Sequence, residues 1–522
     1  MKKEVIHWAD QAAKKIIFEK GDKEKFTLAA GITPSGTVHI GNFREIITVD
    51  LINRALKSLG KNVRFIYSWD DYDVFRKVPK NMPKKDVLET CLGLPLIDVP
   101  DTFDCNHDSY ATHNEQEIEE AIPLVGISAE FIRQSDMNKK CAYAEEIKKA
   151  LEKRDEIKAI LDKYRKEPLE NNWMPVMIYC EKCKKETKDV VYEGDYNVSY
   201  NCKCGNKDVF DIRKKGIIKL LWRIDWPARW HYEKVDFESG GKDHFAAGGS
   251  FTTGSEIIKQ VYDCLRPTSI RYEWIGIKGG KQFSSSKGNV TNLNDVLQIY
   301  QPEIIRWIFA STRPEAEFAI SFDLDVLNIY EEFDKCERIY FKAEEVGEKA
   351  YSKQKRIYEL SCVAQPPKEL PFQPSLRHLT SILQVYGKDL VKTTEYFKED
   401  IKTEDDKKGF AVRLKCALNW LENYAPEDFK FSVQDSVSEN VSLTDLQKQA
   451  LHKSAELLQT DIADEVELHE GFYNITKELN LNVGEFFKAA YNVLINKDKG
   501  PRLASFVLII GKEKVAKLFS NS

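Results

Sequence analysis

No stretch of this chain is apolar for the roughly 20 residues that a bilayer span needs. The N-terminus, Met-Lys-Lys-Glu-Val-Ile-His-Trp-Ala-Asp, lacks the apolar centre of a secretion signal. No membrane association is therefore expected, and the cytosol is the expected compartment. Charge of one sign is also lacking: 78 Lys and Arg against 83 Asp and Glu leave a net charge of −5. The chain has no global basic footprint, so an RNA partner would have to be met by local patches. Low-complexity tracts and internal repeats are absent. Cysteines number eleven in 522 residues, an odd count with several clustered, which favours thiols and bound metal over a disulfide framework. With 42% hydrophobic and 31% charged residues the composition is that of a globular protein. Its length suits roughly two to four domains.

The chain is organised around Phe26 to Glu45. Phe26 to Ala30 is a short apolar run without polar alternation, as in a strand buried on both faces. Gly31, Pro34 and Gly36 punctuate a turn. From His39 onward Ile40, Ile47, Leu51, Ala55 and Leu59 fall at helical spacing, and Gly60 closes the run. Strand, glycine-containing turn and helix is the layout in which backbone N–H groups and a positive helix end meet phosphate. Asn62 to Trp69 reads as a second strand and completes a βαβ unit. It leads into Asp70-Asp71-Tyr72-Asp73, carboxylates that either bind a substrate ammonium or form a solvated acidic turn.

Two segments carry metal-ligand chemistry. Cys180-Glu-Lys-Cys183 and Cys202-Lys-Cys204 are knuckles joined by β-type sequence, the pattern of a zinc ribbon. The second knuckle has one residue fewer than the usual Cys-x-x-Cys. Four thiolates leave no position open to water, so this zinc should be structural. Asp101, Cys105, His107 and His113 offer four further donors of types that zinc accepts, or else are ordinary loop residues.

His39-Ile-Gly41-Asn42 closely resembles the His-Ile-Gly-His motif of class I aminoacyl-tRNA synthetases. Lys278-Gly-Gly-Lys-Gln-Phe-Ser284-Ser285-Ser286-Lys287-Gly-Asn289 resembles that family's second signature, the Lys-Met-Ser-Lys-Ser loop. Together with Gly31-Ile-Thr33-Pro34-Ser35-Gly36-x-Val-His39, the form most resembles class I lysyl-tRNA synthetases of archaeal and spirochaete type, over essentially the whole chain. The resemblance implies a Rossmann-like α/β catalytic domain with a zinc-binding insertion, followed by an all-α anticodon-binding domain. The expected boundaries are 1–95 and 215–325 for the two catalytic halves, 96–214 for the insertion and 326–522 for the helical domain.

The implied activity is ATP-dependent formation of lysyl-adenylate and transfer of lysine to the terminal adenosine of tRNA(Lys), by a monomer needing Mg²⁺ and two zinc ions. His39, Asn42 and Lys287 carry the chemistry in this reading. ATP is met by Pro34, Ser35, Gly36, His39, Gly41, Asn42, Asp243, Ser284, Ser285, Ser286 and Lys287. Gly31, Thr33, Asp70, Trp222, His244 and Tyr272 surround lysine. The resemblance also raises the Asp101, Cys105, His107 and His113 set as a metal site. Rival readings are a glutamyl-type enzyme on the same scaffold, or a zinc-containing RNA-binding protein that has lost catalysis.

Beyond about Asp325 long amphipathic segments dominate, including Val326 to Val346 and Leu443 to Leu458, with two packed helices expected at the end. Gln365 to Pro374, with four prolines, is the expected linker.

Overall fold

A computed structural model describes residues 7–79, 82–278, 291–461 and 464–522. The chain divides into two units. One holds Met1–Ser321 and Lys335–Lys368, the other Phe322–Asp334 and Glu369–Ser522.

The first unit is built on strand β1 (Lys25–Ile32), helix α1 (Ile40–Ser58), strand β2 (Asn62–Trp69), strand β3 (Glu130–Arg133), helix α2 (Trp222–Glu233) and strand β4 (Phe237–Glu238). The strands pair in parallel in the order β4-β1-β2-β3. Beyond β4 the chain continues through Gly240–Gly241, which pairs in parallel with Arg271–Tyr272. That order reverses between β1 and β4, as in a Rossmann sheet, and the crevice at the carboxyl ends of those two strands is where ligands bind. Phe26 to Ala30 are buried, in keeping with an apolar run covered on both faces. Gly60 adopts φ +76°, the left-handed conformation that ends α1 without a Cβ penalty.

Two segments show what a local pattern leaves open. The apolar run Gly216 to Trp222 lies outside the central sheet. Its Ile218–Leu220 pairs antiparallel with Val176–Tyr179 inside the insertion, and α2 follows at once. The apolar run alone cannot say which sheet receives it; pairing partners far away in sequence do. The amphipathic segment 143–165 is two helices, Ala144–Glu152 and Arg154–Asp162, parted where Lys153 takes φ −101° and ψ 22°. In the insertion, Val190–Gly194, Asn197–Asn201 and Lys207–Asp211 form an antiparallel meander next to the cysteine pairs.

In the second unit every described element is helical. Capping boxes at Thr403/Asp406 and Thr444/Gln447 start two of the helices by satisfying N-terminal N–H groups from both directions. Arg413, fully buried, is neutralised by Asp334 at 2.5 and 3.0 Å. Three helices close the chain, Val483–Ile495, Leu503–Ile510 and Lys512–Ser520, one more than the sequence suggests. Gly511 at φ +102° separates the last two. No helix among the described residues is long and apolar enough to cross a membrane.

Candidate active site

A cleft of about 940 Å³ opens at the carboxyl end of β1 and the N-terminus of α1. Thr33, Ser35, Gly36, His39 and Asn42 line one side, with Asp73, Lys219 and Trp222 among those opposite. Pro34 is buried behind the loop. His39 is the residue before α1, and its side chain makes no capping bond. It is exposed to the cleft, and desolvation by the walls lowers its pKa, so the ring is neutral at pH 7. A Cβ on Gly41 would lie 2.8 Å from the His39 ring, so glycine here lets the imidazole fold against the first helical turn.

Next to the cleft wall, along β1, lies a second set of groups. Glu45 on α1 accepts from the Gly31 backbone N–H at 3.0 Å and the Tyr272 hydroxyl at 2.8 Å. Burial pushes its carboxyl pKa up to about 8. A Cβ at Gly31 would stand 2.7 Å from the Ser68 carbonyl oxygen on β2, so only glycine brings this N–H so close to the neighbouring strand. Gly31 and Tyr272 were expected from the sequence; Glu45, which joins them, was not among the expected site residues. Its signal was a charged pair, Arg44-Glu45, set between the apolar Phe43 and Ile46-Ile47.

Beneath the cleft runs a buried ionic network. Asp70, expected at the ligand, is 3% exposed and pairs with Arg229 at 2.6 Å. Arg229 also approaches Asp225 at 3.4 Å and donates to Ser68 at 2.8 Å. Lys219 bridges Asp73 at 2.9 Å and Asp225 at 3.1 Å, and the Thr33 hydroxyl donates to Asp73 at 3.0 Å. Three carboxylates thus face two cations, leaving the floor of the site with an excess negative charge. Lys219 amid apolar neighbours, and Asp225 four residues before Arg229 on α2, are the sequence traces of this network. They become legible only once the strands are paired.

Trp222 begins α2, stacked on Trp226 with ring centroids 5.3 Å apart, and its indole N–H donates to Ser250 at 3.3 Å. His244 packs against the Trp226 ring at 5.4 Å, and burial lowers its pKa. Asp243 is exposed beside it. Ser284, Ser285, Ser286 and Lys287 of the lysine loop lie outside the described residues.

Both proposed ligand sets converge. The Sγ atoms of Cys180, Cys183, Cys202 and Cys204 lie within 4.8 Å of one another. Cys180 and Cys204 are 3.6 Å apart, as are Cys183 and Cys202. Ligand–ligand edges of about 3.8 Å follow from a tetrahedron with Zn–S bonds of about 2.3 Å. A disulfide, at about 2.05 Å, is far shorter. Asp101, Cys105, His107 and His113 likewise converge, with the Cys105 sulfur 2.7 Å from Asp101 and 2.8 and 3.1 Å from the two imidazoles. This second set borders the cleft mechanically. Tyr110, between the two histidines in sequence, donates its hydroxyl to the Ser35 carbonyl at 2.8 Å.

The comparisons agree with this geometry. Residues 6–364 match the family described as tRNA synthetases class I (K). The chain is 48% identical over 519 residues to a lysine–tRNA ligase of Borreliella burgdorferi, covering 99% of each. It is 44% identical to the Treponema pallidum lysine–tRNA ligase over 99% of this chain and 98% of that one. The archaeal lysine–tRNA ligase of Thermococcus kodakarensis is 45% identical, over 98% and 99%. A parallel sheet with its cleft at the order reversal, a His39-Ile-Gly41-Asn42 helix start and this full-length similarity place the chain in the class I (K) family of tRNA synthetases.

Proposed function

We propose that the chain is a lysine–tRNA ligase that activates lysine with ATP and transfers it to the terminal adenosine of tRNA(Lys). The observation that carries the amino-acid specificity is Glu45, a carboxylate with two neutral donors and no cation beside it among the described residues, near an ionic network of three carboxylates and two cations. A primary ammonium supplies the missing cation. A glutamate side chain would meet like charge instead, which disfavours the glutamyl reading.

In the first step a lysine carboxylate oxygen attacks the α-phosphorus of ATP. A P–O bond forms to the amino acid, the bond to the β-phosphate oxygen breaks, and pyrophosphate leaves with its electron pair. No protein nucleophile is needed; positioning and charge stabilisation suffice. His39, neutral and at the start of α1, and Asn42 donate to ATP, while the α1 N-terminus adds its positive dipole. By the family resemblance, Lys287 neutralises the leaving pyrophosphate, and Mg²⁺, when bound, shares that task. In the second step the 2′-hydroxyl of the tRNA terminal adenosine attacks the lysyl carbonyl and displaces AMP, again following the resemblance. The helical unit reads the tRNA. An amino-acid panel in ATP–pyrophosphate exchange, run with tRNA present, tests the assignment: lysine alone should support exchange, and exchange with glutamate would overturn it.

The metal sets are assigned to zinc, one ion in each. Metal analysis of the purified, unchelated protein is expected to return two zinc ions per chain. A value near one removes the Asp101–His113 set. Because Tyr110 ties that set to the Ser35 carbonyl, His113→Ala should also raise the KM for ATP by about tenfold, about 1.4 kcal/mol. An unchanged KM would detach the second site from the nucleotide.

A pH dependence follows from Glu45. Its carboxyl ionises near 4.5 when unfolded and at about 8 in the folded protein, so the folded enzyme holds an extra proton between those values. Lysine, whose ammonium stays charged to about pH 10, requires the carboxylate and expels that proton. The lysine KM should therefore fall about tenfold per pH unit as pH rises towards 8, then level off. The same linkage makes the free enzyme lose stability as pH rises through this window, and lysine should restore it. A KM flat from pH 6 to 8 would contradict the assignment.

A further inference from the structure

The helix Tyr110–Ala121, whose Tyr110 donates to the Ser35 carbonyl, reaches the nucleotide side of the cleft at a second point. About two turns beyond Tyr110, on the same face, stands the half-buried Glu117. Its carboxylate accepts a hydrogen bond from the side-chain amide of Asn292. Among the described residues Glu117 meets no cation, and Asn292 is the donor its carboxylate has. Asn292 is the N-cap of the short helix Leu293–Leu297, which packs against both Tyr110–Ala121 and α1.

The Asn292 Oδ1 accepts the Asp295 backbone N–H at 2.9 Å, and the Asp295 carboxylate accepts the Asn292 backbone N–H at 2.9 Å, a capping box. Only the oxygen of a side-chain amide can accept, so the box turns the Nδ2 donor away from its own helix and towards Glu117. On its backbone side Asn292 pairs with His39 as an isolated antiparallel bridge. The neighbouring Thr291 carbonyl accepts the Ile40 backbone N–H at 2.8 Å. Ile40 opens α1, where N–H groups lack partners inside the helix, and the His39 side chain supplies no cap. The imidazole stays free for the cleft because Thr291 and Asn292 hold its backbone from outside.

We infer that Glu117 is a positioning residue for adenylate formation: through Asn292 it fixes the His39 backbone, and with it the place of the imidazole in the cleft. The helix Tyr110–Ala121 then grips both ends of the loop that meets ATP, Ser35 through Tyr110 and His39 through Glu117 and Asn292. A displacement at phosphorus without a protein nucleophile depends on such placement, and a shift of about 1 Å can cost about 10² in rate. The inference rests on the ligase reading, because that reading supplies the ATP chemistry at His39.

Single-turnover adenylate formation by the full-length protein, counted per active site, is measured at saturating lysine and ATP with tRNA present. Glu117→Ala should slow it by about 10–10², with the lysine KM within about twofold. Glu117→Gln keeps an acceptor and should retain most of the rate that Glu117→Ala loses. Asn292→Asp preserves the capping box but sets a carboxylate against Glu117, and should slow the step as much as Glu117→Ala does. Combining Asn292→Asp with Glu117→Gln lets the glutamine amide donate to the new carboxylate, reversing the bond. The rate of that double variant should return to within about threefold of the unaltered enzyme. A merely structural role would lower the urea midpoint and the number of active sites but leave the rate per site intact. That outcome, a loss confined to the lysine KM, or no recovery in the double variant would overturn the inference. Lysine-dependent exchange by the unaltered enzyme is scored separately, and its absence would count against the ligase reading and not against the role of Glu117.

Discussion

Glu45→Gln is expected to lower kcat/KM for lysine by about 10²–10³, or about 3–4 kcal/mol, while leaving the KM for ATP within about threefold. The substitution is nearly isosteric, and its amide oxygen can still accept from the Gly31 N–H or the Tyr272 hydroxyl. What it removes is charge. The lysine ammonium would then enter a desolvated site without its counter-ion, and an unpaired buried charge is strongly penalised. The KM for lysine should carry most of the loss, and its pH dependence between 6 and 8 should vanish with the titrating group. Steady-state exchange kinetics at several pH values measure both effects. If Glu45→Gln instead altered ATP binding and left lysine untouched, Glu45 would only hold Tyr272 and Gly31 in place, and the cation site would have to lie elsewhere.

Arg229→Met should destabilise the catalytic unit by about 3–5 kcal/mol, the range for breaking one partner out of a buried pair. Asp70 would lose its partner at 2.6 Å, and Asp225 its contact at 3.4 Å, leaving Lys219 as the remaining cation among three carboxylates. Burial already biases Asp70 towards its protonated form, and the Arg229 charge opposes that bias. Without Arg229 the carboxyl should take up a proton, so the variant should regain part of its stability as pH falls. Adding Asp70→Asn removes the unpaired charge and should recover a substantial share of the loss. Urea unfolding followed by tryptophan fluorescence reports the effect locally, since Trp222, Trp226 and Trp230 share α2 with Arg229. If the single and double variants unfolded at the same urea concentration, the loss would come from packing and not from the stranded carboxylate.

Sequence motifs pointed to the start of α1, where His39, Gly41 and Asn42 lie within about one helical turn, and helix geometry fixes such relations once the helix is known. The two donor clusters, Cys180 to Cys204 and Asp101 to His113, were legible because knuckle residues are close in sequence and their side-chain chemistry is distinctive. The amino-acid side was read less completely. Asp70 to Asp73 presented four consecutive positions with three carboxylates, but nothing local shows which of them is buried under Arg229 and which faces the cleft. Glu45 could be recognised only after Gly31, on β1, and Tyr272, more than two hundred residues later, came to it.

By itself the sequence determined the strand–turn–helix at Phe26 to Glu45, the two clusters of donor side chains that converge and the change to an all-helical second half. These depend on periodicity, turn residues and short spacings, all local properties of the backbone. Tertiary structure alone decided which acidic residues are paired, and that Glu45 has no cationic partner among the described residues. Pairing and desolvation are set by strand register and helix packing between residues distant in the chain, so no local pattern encodes them.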